Sequence, residues 1–335
     1  MSIDHRNLGR TGLVVSRLCM GTMTFGLQCD EPTSFAILDA AAEAGIDFLD
    51  TADVYPLGGG ADTVGRTEEI VGAWLARNGR DRFVLATKCV GRTGSRRWDQ
   101  GMSRKHVLAA IDASLRRLQT DHVDLYQLHA YDPTTPMDEA LEALDLVVRS
   151  GKARYVGVSN WMAHKVARAL GRSELRGLVR VDSVQPRYNL LFRAFERDLL
   201  PLCAEEGIGV IPYNPLAGGM LTGKHDRSSE PTEGTRFTLG NAAQNYQARY
   251  WHDREFDTVD ALAPVAAAAG ISMTTMAMGW VLANPAITSA IVGASKPEQL
   301  ADSVAAAQRA PVVDADLKGR LDELTAEWRR SDAER

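Results

Sequence analysis

Four side chains that can donate, accept or stabilise protons lie at or soon after apolar runs of the sequence. Asp50 and Lys88 follow such runs, His129 comes directly after another, and Tyr55 is five residues beyond Asp50. Taken singly, an aspartate after a strand is usually a helix cap, and a lone histidine is usually a structural residue. A lysine that ends an apolar strand needs a partner, because burial of an unpaired ammonium is costly. The recurrence at equivalent positions predicts that the four share one site.

These residue types suit the reduction of a carbonyl group. A tyrosine hydroxyl has a reference pKa of about 10 and is a weak acid unless a nearby cation stabilises its anion. Lys88 can supply that charge, and Asp50 can hold Lys88 in place. His129 can donate to the carbonyl oxygen or orient it. The hydride must come from a cofactor, because no side chain can provide one.

The elements that must position these residues alternate along the chain. Apolar runs rich in Val, Ile and Leu alternate with segments of helical period, which predicts parallel strands joined by helices. Eight runs are found, at 18–20, 46–49, 83–87, 123–128, 155–158, 181–184, 210–212 and 287–292. Eight such units favour a closed (β/α)8 TIM barrel, an α/β fold in which reactive groups lie at the carboxyl ends of the strands.

Further segments flank this pattern. Residues 5–16 contain the turn Gly9-Arg10-Thr11-Gly12, which predicts an N-terminal hairpin that closes the bottom of the barrel, and 317–328 predicts an extra C-terminal helix. The polar and aromatic segment 226–257 is interpreted as an active-site loop. No segment has the composition of a linker, so residues 1–335 are expected to form a single domain.

Composition excludes several classes of function. The 335 residues are 45% hydrophobic and 24% charged, with a formal net charge of −5, as in globular proteins. No long run of one charge predicts a nucleic-acid or membrane partner. The four cysteines lack CxxC spacing, so neither a disulfide scaffold nor a metal site is expected. The polar N-terminal residues predict no signal peptide, and a cytoplasmic protein is expected.

Several motifs resemble the aldo-keto reductase superfamily, in its order and spacing from about residue 8 to residue 308. They are DTADVY at 50–55, ATK at 86–88, YQLH at 126–129, VGVSN at 156–160 and YNPLAGG at 213–219. The resemblance implies a catalytic tetrad of Asp50, Tyr55, Lys88 and His129. It also implies reduction of an aldehyde or ketone to an alcohol, with the hydride from NADPH and the proton from Tyr55.

The resemblance further implies a nicotinamide and pyrophosphate site. Ser159, Asn160 and Gln185 would bind the carboxamide, and the ring of Tyr213 would stack on the nicotinamide. Asn214, where other branches commonly have serine, begins a segment to Lys224 that would wrap the pyrophosphate with backbone N–H groups. The other residues implied for this part of the cofactor site are Gly21, Thr22, Met23, Asp50, Pro215, Leu216, Gly218, Leu221 and Arg236.

The segment from residue 293 to 303 resembles the family's adenosine-phosphate site. Ser295 and Glu298 have the spacing of a capping box, and a helix N-terminus beside Ser295 and Lys296 suits a 2′-phosphate. Many relatives have arginine at 295 and asparagine at 303. Lys296 can replace the charge of that arginine, so NADPH is favoured over NADH. The residues implied here are Gly293, Ser295, Lys296, Gln299, Asp302 and Ser303.

Substrate identity is left open by the sequence. The 226–257 segment is similar to the loop of aflatoxin-aldehyde and succinic-semialdehyde reductases, in which an arginine would accept a substrate carboxylate. The Thr-Glu-Glu segment at 67–69 also resembles the nucleotide-deoxysugar ketoreductases. An anionic aldehyde and a sugar are therefore both expected substrate classes. The predicted substrate contacts are Tyr55, His129, Trp98, Trp161, Arg249 and Trp251. Alternatively, the tryptophans pack against loops, and Arg249 forms salt bridges in a solvated loop.

Three readings of the function are compared. The first is an NADPH-dependent carbonyl reductase that acts on a small molecule, as a monomer or homo-oligomer. The second is a cofactor-sensing binding subunit similar to the potassium-channel β subunits, which share this fold and tetrad. A barrel that has lost its chemistry is disfavoured because all four tetrad positions are filled.

Overall fold

The computed structural model describes residues 3–308 and 312–330 and begins with the predicted hairpin. Strands β1 (His5–Asn7) and β2 (Val14–Ser16) pair antiparallel. The N–H of Arg10 in the turn donates to the carbonyl of Gly207, 2.7 Å away. Leu8 and Val15 pack with residues inside the barrel strands, so the hairpin plugs one end of the barrel.

Eight parallel strands form the barrel, as predicted. They are β3 (Leu18–Gly21), β4 (Phe48–Asp50), β5 (Val84–Cys89), β6 (Val123–Leu128), β7 (Ala153–Ser159), β8 (Ser183–Gln185), β9 (Gly209–Val210) and β10 (Ala290–Val292). Their order is β10-β3-β4-β5-β6-β7-β8-β9. A bridge between Val210 and Ile287, and a 2.9 Å bond from Ile291 N to Pro212 O, connect the two ends of the sheet.

Helices cover the outside of the sheet. They are α1 (Glu31–Glu43), α2 (Arg66–Asn78), α3 (Arg104–Leu118), α4 (Met137–Arg149), α5 (Ala163–Arg176), α6 (Leu199–Glu206), α7 (Ala243–Tyr250), α8 (Asp253–Ala268), α9 (Met273–Leu282), α10 (Leu300–Gln308) and α11 (Ala315–Leu324). Helix α3 illustrates why they form: Ser103 caps its N-terminus by accepting from His106 N, and Val107, Ile111 and Leu118 face the core.

The segment predicted as a loop at 226–257 is more ordered than expected. It contains α7 and the first turn of α8. Phe237 and Tyr246 are buried, and the ring centroid of Trp251 lies 4.8 Å from that of Phe237. Aromatic residues spaced among polar ones gave no clear helical period, but they pack together and join the main hydrophobic core.

The C-terminal helix is confirmed with a different end. Helix α11 ends at Leu324, and a 3₁₀ turn follows at Ala326–Arg330. The fully buried Arg193 donates to Asp322 O at 2.8 Å and to Thr325 Oγ1 at 2.7 Å, which fixes this end against the barrel.

No single helix in residues 3–308 and 312–330 is long and apolar enough to cross a membrane. Helices α8 and α9 pass that length and composition test only as a pair, and they are bent by 93° at their junction.

Candidate active site

A buried ion pair lies at the carboxyl ends of β4 and β5. Lys88 is fully buried, and its ammonium donates to Asp50 Oδ1 and to the carbonyl of Thr51, the latter at 2.8 Å. The other Asp50 oxygen accepts from Gln127 Nε2 at 3.2 Å and Gln185 Nε2 at 2.9 Å. Burial lowers the pKa of Lys88, but the charge and hydrogen bond of Asp50, together with Tyr55, outweigh it and the pKa is raised. Lys88 therefore keeps a positive charge in the centre of the barrel.

Tyr55 lies against this cation. Its side chain is buried, and Lys88 Nζ is 5.1 Å from the centroid of its ring. The backbone carbonyl of Tyr55 accepts from Gly65 N at 3.0 Å and Thr67 N at 3.4 Å, which holds the turn after β4 to the start of α2. Burial raises the pKa of Tyr55 more than the neighbouring Lys88 lowers it, so the hydroxyl is protonated near neutral pH.

His129 completes the group from the end of β6. Its ring centroid lies 5.7 Å from that of Tyr55 in an edge-to-face arrangement. Burial, with a smaller effect of Lys88, lowers the pKa of His129 to about 3. The imidazole is therefore neutral at ordinary pH, and it can donate a hydrogen bond from one nitrogen without carrying a charge.

Two further buried acidic residues, Glu68 and Asp53, lie close to the tetrad. Glu68 accepts from Thr87 Oγ1 at 2.5 Å and from Arg117 Nε at 2.8 Å. Asp53 is buried, and within the described ranges neither of its carboxylate oxygens has a hydrogen-bond partner. Burial and the charge of Glu68 raise the pKa of Asp53 well above its usual range. Burial and the neighbouring Glu68 therefore both disfavour the charged form of Asp53.

A chain of hydrogen bonds crosses the ends of β7, β8 and β9. Tyr213 Oη donates to Asn160 Oδ1 at 2.8 Å, and Asn160 Nδ2 donates to Ser159 Oγ and His129 O, each at 3.0 Å. Ser159 Oγ donates to Gln185 O at 2.8 Å. The four residues predicted to hold the nicotinamide are thus next to one another and connected to His129.

The segment after Tyr213 turns sharply beside the barrel. Gly218 and Gly219 have φ angles of +71° and +107°, a conformation that side chains with a Cβ rarely adopt. A Cβ at Gly218 would lie 2.7 Å from Tyr246 Cδ1, so the close approach of α7 also requires glycine. Asn214 Nδ2 is buried and has no hydrogen-bond partner among residues 3–308 and 312–330.

Basic side chains line the same cavity near this turn. Lys224, Arg236 and Arg249 all border it, and within the described part of the chain none of them forms an ion pair. Arg236 Nη1 donates to Gln28 Oε1 at 3.3 Å, and Gln28 Nε2 donates to the carbonyl of Gly234. Gln28 thus joins the loop after β3 to the distant 234–236 segment.

The far end of the cavity is formed by the residues after β10. Ser295 N and Ser295 Oγ donate to Gln299 Oε1 at 2.8 and 3.1 Å. The capping box expected between Ser295 and Glu298 is not formed; instead, Lys296 is the N-cap of the 3₁₀ turn Pro297–Gln299. Lys296 is exposed.

One cavity of about 560 Å³ collects most of the predicted site residues. Those that line it are Gly21, Thr22, Met23, Asp50, Tyr55, His129, Ser159, Asn160, Gln185, Tyr213, Asn214, Pro215, Leu216, Gly218, Lys224, Arg236, Arg249, Gly293, Ser295, Gln299 and Asp302. Lys88, Leu221 and Ser303 are buried behind its wall, and Lys296 lies outside the lining.

A second cavity of about 750 Å³ meets the first at His129 and Asn160, which line both. Trp98 borders this second cavity and is 39% exposed. Trp161 is buried and packs edge-on against Tyr131, with 5.0 Å between the ring centroids. Trp251 packs with Phe237 and Phe256, away from the lining of both cavities.

The salt bridges considered for Arg249 are not formed in the described residues. The candidate partners were Asp253, Glu255 and Asp257, and Asp257 pairs with Arg227 at 2.9 Å instead. Arg249 instead lies close enough to Tyr213 and Tyr246 for its charge to lower the pKa of both, against the larger effect of burial that raises them.

Several residues that line the first cavity were not among the predicted site residues. They include Gln28, Leu57, Thr222, Thr235, Asn245, Tyr246 and Thr274. Three of them, Thr235, Asn245 and Tyr246, reach the cavity because 226–257 folds over the barrel. Gln127, which supports Asp50, could have been found, since it precedes His129 by two residues on the same strand.

Comparison with known proteins agrees with this geometry. The profile of the aldo/keto reductase family matches residues 17–325. The chain is 40% identical over 316 residues to "Uncharacterized oxidoreductase YrpG" of Bacillus subtilis, with 91% of each chain covered. It is 34% identical to "Protein tas" of Escherichia coli, covering 90% of this chain and 92% of that protein. A rice "Probable voltage-gated potassium channel subunit beta" is 35% identical, with 96% of each covered.

The resemblance predicted from the sequence motifs is confirmed by these matches, which cover nearly the whole described chain. The chain belongs to the aldo/keto reductase family and is an oxidoreductase.

Proposed function

We propose that this protein reduces an aldehyde or ketone to an alcohol with NADPH as the hydride donor. The observation that carries the proposal is the buried, charged Lys88, anchored by Asp50, with its ammonium 5.1 Å from the Tyr55 ring centroid at the wall of the cavity. A cation in this place stabilises the phenolate that forms when the tyrosine gives up its proton.

The residues around the cavity fit a dinucleotide. Asn214 Nδ2 is a buried donor without a partner in the described residues, and the Gly218-Gly219 turn lets backbone approach a bound group closely. Lys224 and Arg236, which form no ion pair with the described residues, offer cations suited to phosphate oxygens. Ser159, Asn160 and Gln185 would bind the carboxamide, and Tyr213 would stack on the ring. When bound, the nicotinamide supplies the hydride that reduces the carbonyl carbon.

The protonation states of the side chains indicate which residue donates the proton. Tyr55 is protonated, since burial raises its pKa, and it donates its proton to the carbonyl oxygen as that oxygen gains charge. Lys88 then stabilises the tyrosine anion, and Asp50 keeps Lys88 in place. His129, neutral because its pKa is about 3, donates a hydrogen bond to the same oxygen.

We further propose that residues 1–335 act as a single domain on a small-molecule substrate. The barrel strands, the loops after them and the α7 segment line one cavity, and the hairpin packs against the same strands, which supports this organisation. An anionic aldehyde and a sugar remain the substrate classes in view.

The test is Tyr55→Phe, which removes the proton donor and keeps the ring. We expect kcat/KM for reduction of 4-nitrobenzaldehyde with NADPH to fall by about 10²- to 10⁴-fold, the usual contribution of a general acid. The Kd for NADPH, measured by fluorescence titration, should change less than about twofold, because Tyr55 is a minor part of that cavity. Near-normal turnover in this variant would refute the acid role.

A second candidate is a cofactor-sensing binding subunit, because relatives from rice and Arabidopsis thaliana are named as probable potassium-channel β subunits. This reading expects NADPH to bind with turnover close to zero across a panel of aldehydes and ketones. Steady turnover by the wild type that is lost in Tyr55→Phe favours the enzyme over the binding subunit.

A further inference from the structure

The second cavity carries a group of cations that the proposed reduction does not use. Arg92, Arg97 and Trp98 lie on the loop after β5, and all three line this cavity beside His129. The Arg97 guanidinium lies 5.4 Å from the Trp98 ring centroid, and Lys105 Nζ lies 5.3 Å from it. An exposed indole is therefore flanked by two positive charges at the mouth of the cavity.

These arginines keep unused hydrogen-bonding capacity. Arg92 Nη1 donates to the carbonyls of Gly94 at 3.2 Å and Arg96 at 3.1 Å, so backbone alone holds its guanidinium. Among the described residues, neither Arg92 nor Arg97 forms a salt bridge. A planar guanidinium with free N–H groups binds carboxylate and phosphate oxygens in pairs.

The nearby carboxylates are occupied by their own loops. Asp132, the acidic residue in this lining, accepts from Thr134 Oγ1 and Thr135 Oγ1, each at 2.6 Å, and from Met102 N at 3.0 Å. These hydrogen bonds outweigh its burial and lower the pKa of Asp132 to about 2. Asp99 accepts from Arg96 N at 2.9 Å. Both carboxylates therefore bind groups of the surrounding loops. In the described residues, neither carboxylate forms a salt bridge with Arg92 or Arg97.

We infer that this cavity selects carbonyl substrates with an oxyanion at the end remote from the carbonyl. Arg97 and Arg92 would bind the carboxylate or phosphate, and an apolar or aromatic body would lie along Trp98. The carbonyl group would reach Tyr55 through the junction at His129 and Asn160. The inference rests on the proposed carbonyl reduction and names the substrate class of that same site.

This assignment differs from the one based on Arg249. Arg249 lines the first cavity with Lys224 and Arg236, near Tyr213, where a dinucleotide would lie. Arg92 and Arg97 line the second cavity, which opens from the tetrad on the other side of His129. Substitutions in the two groups of arginines can therefore distinguish which group binds the charged end of the substrate.

The experiment compares 4-formylbenzoate and 4-formylphenyl phosphate with the neutral methyl 4-formylbenzoate, at saturating NADPH. The measured quantity is the ratio of kcat/KM for each anion to that of the ester, so intrinsic aldehyde reactivity cancels between variants. We expect Arg97→Gln to lower the ratio about fivefold, and Arg92→Gln/Arg97→Gln about twentyfold, chiefly through KM, as befits exposed charge contacts. The anion with the larger loss identifies carboxylate or phosphate as the preferred group.

Matched variants make the result decisive. Arg96→Gln removes an equally exposed charge from the same loop but outside the cavity lining, so its ratios should match the wild type. Raising the salt from 0.05 to 0.5 M should lower the ratios in the wild type but not in the double variant. Equal ratios in wild type and double variant, an equal loss in Arg96→Gln, or a loss confined to Arg249→Gln would each overturn the inference. Failure of the wild type to reduce even the ester would instead refute the proposed function.

Discussion

The tetrad and the Gly218-Gly219 turn lie at or behind the wall of one cavity, but they are built in different ways. Asp50 and Lys88 are at the ends of adjacent strands, buried, and held by short-range contacts across the sheet. Gly218 and Arg236 are outside the strands, and their positions depend on α7 and on Gln28 from another loop. The first region is fixed by the barrel itself. The second is fixed by contacts between segments that are distant in sequence.

Because the two regions are held differently, a substitution is expected to disturb different properties in each. A change in the tetrad alters both the chemistry and the core, since the same ion pair serves both. A change in the turn alters affinity and leaves the strands intact. Substitutions in the two regions should therefore separate cleanly when activity, cofactor affinity and stability are measured together.

The largest effect is expected from Lys88→Met. It removes the cation beside Tyr55 and leaves the buried Asp50 carboxylate without its charged partner. We expect reduction to fall by about 10²- to 10⁴-fold and the free energy of unfolding to fall by about 3–5 kcal/mol. Urea unfolding and steady-state kinetics measure the two losses.

The double variant Asp50→Asn/Lys88→Met separates these losses. It removes the unpaired charge, so stability should recover by at least about 1–2 kcal/mol while activity stays low. Recovery of activity together with stability would show that Lys88 matters only for folding.

Gly218→Ala tests the second region. Alanine at φ +71° costs about 1–2 kcal/mol, and its Cβ would displace the ring of Tyr246. We expect the Kd for NADPH to rise about five- to thirtyfold, and the free energy of unfolding to fall by only about 1–2 kcal/mol, less than in Lys88→Met. Gly270→Ala is the matched control, since Gly270 also has a positive φ, +66°, and a Cβ there meets nothing within 4 Å. An unchanged Kd in Gly218→Ala would mean that the turn does not contact the cofactor.

A pH dependence of stability is expected from His129 in the tetrad. The pKa of folded His129 is about 3, whereas an unfolded histidine titrates near ~6.5, so between these values only the unfolded chain takes up the proton. The free energy of unfolding therefore falls as the pH drops below about 6.5. Between pH 7.5 and 4.5 the wild type should lose about 1–2 kcal/mol more than His129→Gln, after allowance for partial exposure. Parallel curves would contradict the burial of a neutral imidazole.

The smallest effect is expected from Lys296→Ala. Lys296 is exposed and outside the cavity lining, so solvent screens any contact with a 2′-phosphate. We expect KM for NADPH to rise about two- to fivefold and KM for NADH to stay the same. Equal changes with both cofactors would show that Lys296 does not distinguish them.

The same contrast explains what could be predicted from the sequence. The strands, and the tetrad placed by them, follow from apolar runs whose ends meet at one edge of a parallel sheet. Gln28 and Tyr246 could not be placed, because their positions depend on how 226–257 folds across the barrel. Its helix α7 is held by aromatic contacts such as Phe237 with Trp251, which a local pattern does not reveal. The side-chain pairing of Ser295 with Gln299 likewise replaced the expected capping box.

Gln28 has a kinetic consequence. Its amide bonds to Gly234 O and receives Arg236 Nη1, so two loops that line the first cavity are joined by one neutral side chain. If the proposed dinucleotide is enclosed by these loops, we expect its release to require opening of that contact. Its residence time would then be governed by local opening of the loops, which separates no pair of opposite charges and so responds weakly to salt. We therefore expect the dissociation rate of the cofactor to vary less with ionic strength than its association rate, which the unpaired cations accelerate.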